Sequence, residues 1–179
     1  LDGTLFPYTT LFRSDTAAGR YLVLCFFGSA QSEFGRQRLQ TVFARPDLFD
    51  DSFASFFGIS ADLADETGGA VREHYPGYRF FWDFDARVAR LYGAAPGDVE
   101  DAAALQFYRP QWVIIDPMLR IADIVPADPD GGDCAALIAA LERLPPVDAF
   151  AAETIPPPVL VLPNVFDPAL CQQLIDIYE

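Results

Sequence analysis

This 179-residue chain has little histidine, little cysteine and few basic residues, and each shortage closes off a class of chemistry. The single histidine, His74, cannot supply the two imidazoles that a two-His, one-carboxylate iron site needs, and it reads as a surface or half-buried helix residue. Cys25, Cys134 and Cys171 show no C-x-x-C spacing. An odd, sparse set argues against a secreted disulfide framework and fits a reducing compartment, so a cytoplasmic location is expected. The chain carries 12 Lys plus Arg against 26 Asp plus Glu, a formal charge of −14. Such a surface repels phosphate backbones, and no basic cluster offsets it, so neither nucleic acid nor an anionic membrane is expected as partner. Arg36 and Arg38 read as ordinary solvated helix residues. No run of 18 apolar residues suggests a membrane span, and no phosphate-cradling glycine loop or G-x-S-x-G elbow appears. Asp128-Pro129-Asp130-Gly131-Gly132-Asp133 lacks the ligand ladder and closing Glu of a calcium loop, and reads as a turn into a helix.

What is present is apolar: 51% of the residues are hydrophobic, enough for one sizeable core and a piece of a second unit. The run Tyr21-Leu22-Val23-Leu24-Cys25-Phe26-Phe27 reads as a strand buried on both faces, followed by a small-residue loop. A helix is expected over 32–44, capped by Ser32, with Leu39, Val42 and Phe43 on its inner face. A strand over 52–59 follows, then a helix from Asp62 to about residue 75 with Asp65 and Glu66 in its first turn. The remaining pattern gives a strand at 78–82, a helix at 85–92 stopped by Gly93, and strands at 111–115 and 121–125. An amphipathic helix over 134–144 closes the unit, with Leu137, Ile138, Leu141 and Leu144 as its buried stripe.

This order is that of an α/β thioredoxin-like fold, a central mixed sheet with helices on both faces. Several segments resemble peroxiredoxins, the alkyl hydroperoxide reductase/thiol-specific antioxidant family, at matching places. They are the strand and loop 21–35, Phe57-Gly58-Ile59-Ser60-Ala61-Asp62, the segment 81–93, and Trp112-Val113-Ile114-Ile115-Asp116-Pro117 with Arg120-Ile121. The resemblance spans 18–144 and implies thiol-dependent peroxide reduction. In the family the loop carries a Pro, then a Thr, then a reactive Cys three residues after the Thr. Here those positions hold Gly28, Ser32 and Gly35.

Peroxide reduction needs a thiolate, which glycine cannot provide. The expected function is therefore that of a degenerate redoxin domain without peroxidase activity. An antioxidant thiol peroxidase working through an atypical cysteine stays open as the alternative. Cys25 is the thiol nearest the loop, but its mid-strand place favours a core role. Cys134 stands where a helix begins, and Cys171 reads as core. The family places a peroxide-polarising arginine near Arg109, which lies one residue early against that spacing. Ser32, Cys25 and Arg109 are thus weak catalytic candidates, and no metal or cofactor-binding residue is expected in this chain. Homo-oligomerisation is left open.

The prolines of 145–158 read as a semi-rigid linker. Beyond it, an apolar strand over 159–166 and a helix opened by Asp167 and Pro168 resemble the start of a 2-oxoglutarate/Fe(II)-dependent oxygenase domain of the prolyl-hydroxylase type. The resemblance makes a downstream oxygenase domain the expected partner, with Fe(II) and 2-oxoglutarate as cofactors of the longer parent only. A fragment of such a hydroxylase is a further open reading. Finally, Thr4-Leu5-Phe6-Pro7-Tyr8-Thr9-Thr10-Leu11-Phe12-Arg13-Ser14 resembles the in-frame translation of a common sequencing adapter. Residues 1–14 are expected to be an artefact of that origin and stand outside the fold reasoning.

Overall fold

The apolar run after Gly19 dictates the centre of the fold. The computed structural model describes residues 18–97, 107–151 and 168–178. Strand β1 (Tyr21–Gly28) is buried through its first seven residues, and its side chains alternate between two cores. Tyr21, Val23, Cys25 and Phe27 face one, and Leu22, Leu24 and Phe26 face the other. Full burial of such a Leu or Phe contributes about 1.5–3 kcal/mol. Neither face of β1 can be turned to water, so the strand must lie inside a two-sided sheet.

That sheet has the order β3-β2-β1-β4-β5. Strands β2 (Ala54–Ser60) and β3 (Tyr78–Trp82) run parallel to β1. Strand β4 (Gln111–Ile115) runs antiparallel to β1, and β5 (Ile121–Pro126) antiparallel to β4. Helix α1 (Glu33–Phe43) carries Leu39 and Val42 into the first core, as its periodicity dictates. Phe43 does not follow them. It is 47% exposed, and its ring forms a T-shaped pair with Tyr78, the centroids 5.3 Å apart. Strand β2 starts two residues later than expected because the Asp50 carboxylate captures the Ser52 and Phe53 amides in a turn.

The expected helix over 62–75 is the largest correction. Asp62 does cap it, accepting from the Ala64 amide at 2.9 Å, but α2 is only Leu63–Thr67. Gly68 and Gly69 (φ 60°) end it, because glycine enters the left-handed region at no steric cost. His74 therefore lies beyond the helix, exposed and bridged to Tyr78. Helix α3 (Arg87–Leu91) starts late because Ala86 holds a φ of 54°. In α4 (Gly132–Arg143) the buried stripe is Cys134, Leu137, Ala140 and Leu141, while Ile138 and Leu144 are half-buried.

Part of the segment read as linker packs on this core. Val147–Phe150 forms a 3-10 turn, the Tyr21 hydroxyl donates to the Pro145 carbonyl at 2.8 Å, and Phe150 lies edge-on to Tyr21. Helix α5 (Pro168–Tyr178) begins at the proline that announced it. The expected strand at 159–166, the cap Asp167, the rest of the linker and the adapter-like stretch lie outside the described residues. Among those described, no helix is long and apolar enough to cross a membrane.

Candidate functional site

The loop joining β1 to α1 is pinned by two carboxylates from the segment after β2. Asp62 accepts from the Ser29 hydroxyl at 2.7 Å. Asp65, wholly buried, accepts from the Ala30 amide and the Ser60 hydroxyl, both at 2.7 Å. The Ser29 hydroxyl, followed by the Ala64 amide, holds the Asp62 carboxyl below its usual range. Two hydroxyls, Ser29 and Ser60, and two carboxylates therefore fix the backbone where the sequence placed the candidate site. The sequence marks Asp65 only as a helix-terminus acid, and its tie to residue 30 is a tertiary contact.

Ser32 does what its position predicts. Its hydroxyl accepts from the Gly35 amide at 2.9 Å and donates to the Ser29 carbonyl at 2.7 Å. Both bonds serve the cap and the turn, so the hydroxyl is engaged in structure. Gly35 sits buried directly beneath that turn. A Cβ added there would collide with the Ser29 carbonyl oxygen and lie 2.9 Å from its carbon. The space a side chain at residue 35 needs is occupied by backbone. Gly28 departs from the family pattern just as physically. Its φ of 80° is closed to proline, whose ring fixes φ near −65°.

The thiols give no ready replacement. Cys25 is 1% exposed, and burial pushes its thiol well above the usual range despite the nearby Arg38. Cys134 is also buried and also raised by desolvation, which a hydrogen bond with Thr41 only partly offsets. Cys171, expected in a core, is exposed on α5. Arg109 is exposed and is held through its backbone, its amide donating to the Ala94 carbonyl at 2.7 Å. Its neighbour Tyr108 takes the inner place: a Cβ on Gly28 would meet the Tyr108 ring at 3.7 Å. Burial raises the Tyr108 hydroxyl well above its ordinary range, an effect the nearby Gly28 backbone only partly offsets, and among the described residues that oxygen meets no partner in good hydrogen-bond geometry.

Behind the loop, Arg38 overturns its reading as a solvated residue. It is 1% exposed, pairs with the buried Asp133 at 2.6 Å, and lies over the Phe34 ring. Asp133 also accepts the Trp112 indole N–H at 2.7 Å. The Asp128–Asp133 stretch is thus the turn expected before a helix, and it delivers one carboxylate into the core. Among the described residues, no group of three or more His, Cys, Asp and Glu side chains is gathered to hold a metal.

The chain matches no protein-family model and no curated protein sequence. It is similar in structure to several solved proteins. Peroxiredoxin Q of Xanthomonas campestris superposes with a TM-score of 0.51 at 18% identity, covering 70% of this chain and 80% of that one. Peroxidoxin BcpB of Mycobacterium tuberculosis gives 0.52 at 18% identity, with the same coverage of 70% and 80%. AhpC of Enterococcus faecalis gives 0.55 at 18% identity, covering 78% and 83%. With a mixed five-stranded sheet and helices in this order, the chain has the peroxiredoxin-like thioredoxin fold.

Proposed function

We propose that this domain is a degenerate peroxiredoxin-like redoxin that has lost peroxidase activity and serves as an accessory module. The observation that carries the reading is the Ser29 carbonyl standing where a side chain on residue 35 would have to go. A vacant pocket would suggest a nucleophile recently lost. A pocket filled by the loop, and pinned there by Asp62 and Asp65, supports a site committed to another role. The burial of Cys25 and Cys134 points the same way, because the thiolate is the form that attacks a peroxide.

Within this reading, residues 159–179 open a second unit of the 2-oxoglutarate/Fe(II)-dependent oxygenase type, to which the redoxin domain is accessory. Support comes from the sequence resemblance and from α5, whose Leu170, Leu174 and Ile177 are 39%, 46% and 77% exposed. Such a stripe suits a helix that packs against further structure. His74, the single histidine, is exposed, and one imidazole falls short of the two-His set that chemistry needs.

Stopped-flow mixing with hydrogen peroxide or an organic hydroperoxide tests the loss of activity. Only the slow oxidation of ordinary thiols is expected. Rapid, saturable oxidation abolished by Cys25→Ser or Cys134→Ser would establish an atypical peroxidatic cysteine instead.

A further inference from the structure

We draw no further inference here: the strongest candidate, the apolar groove of about 540 Å3 at the end of the sheet opposite the β1–α1 loop, lined by Phe53, Pro117, Met118, Pro146 and Phe150, carries nothing because nothing in the structure shows what covers it.

Discussion

Arg38 and Asp133 form a 2.6 Å ion pair whose side chains are 1% and 0% exposed, joining α1 to the start of α4 across the first core. The guanidinium also donates to the Phe34 and Asp128 carbonyls. Asp133 holds the Trp112 indole and the Asp128 amide. A buried pair of this kind need not stabilise a fold relative to apolar residues, but breaking it leaves an uncompensated charge.

Arg38→Met is therefore expected to destabilise the domain by about 3–5 kcal/mol, as for other buried pairs that lose one partner. Urea unfolding of wild type and variant measures the difference. Asp133→Asn keeps an acceptor for Trp112 and is expected to cost less than Asp133→Ala. A loss below about 1 kcal/mol in Arg38→Met would place the pair in the range of an exposed salt bridge and refute its buried role.

Asp51 supplies a pH dependence. Burial alone would raise its carboxyl, but the two-pronged Arg79 guanidinium and the Ser55 hydroxyl pull it down to about 2. A carboxylate whose folded pKa lies below its unfolded value of about 3.9 binds fewer protons folded than unfolded. Its contribution is present above pH ~4 and lost as pH falls toward ~2. Thermal melts from pH 5 to pH 2 should show Tm falling through that window. Asp51→Asn should lower Tm at pH 5 and flatten the fall; an unchanged slope would remove Asp51 as its source.

Restoring the family's cysteine should fail for a steric reason. Gly35→Cys puts a Cβ against the Ser29 carbonyl, so α1 or the loop must shift. Overpacking of this kind costs about 1–3 kcal/mol. Gly35→Ala, which adds the Cβ without the thiol, should lose the same stability. We expect both variants to melt several degrees below wild type, with no fast reaction of Gly35→Cys toward hydroperoxide. Wild-type stability together with rapid peroxide turnover would show that the loop yields readily.

The elements fixed by short-range pattern were legible in the sequence. β1, β3 and β4 follow from apolar runs, and the α1 start from Ser32, whose cap is a contact three residues long. What escaped were contacts between distant segments. Nothing near Arg38 marks it as buried, since Asp133 lies 95 positions away. Asp65 and Ala30, 35 positions apart, are likewise joined only by the fold. Most residues between Asp62 and Tyr75 are helix-compatible, but the adjacent Gly68 and Gly69 cut the helix short at Thr67. At the site, the sequence showed that residue 35 lacks a thiol. Only the backbone path showed that the space is also gone.

Helix α5 stands apart from the other helices in its exposure. Its side chains from Leu170 to Ile177 are all exposed, including Cys171, Leu174 and Ile175. An 11-residue helix is marginal without tertiary packing, because nucleation is unfavourable and few hydrogen bonds repay it. The β1 amides, in contrast, belong to a strand bonded on both sides and buried on both faces. Hydrogen exchange should therefore release Pro168–Tyr178 far earlier than Tyr21–Gly28. Equal protection would mean that α5 is integrated with the redoxin core. Calorimetric titration of this chain with Fe(II) and 2-oxoglutarate should show no stoichiometric binding, because one exposed histidine cannot assemble the two-His set. A site of one-to-one stoichiometry lost in His74→Ala would instead place a functional metal centre on these residues.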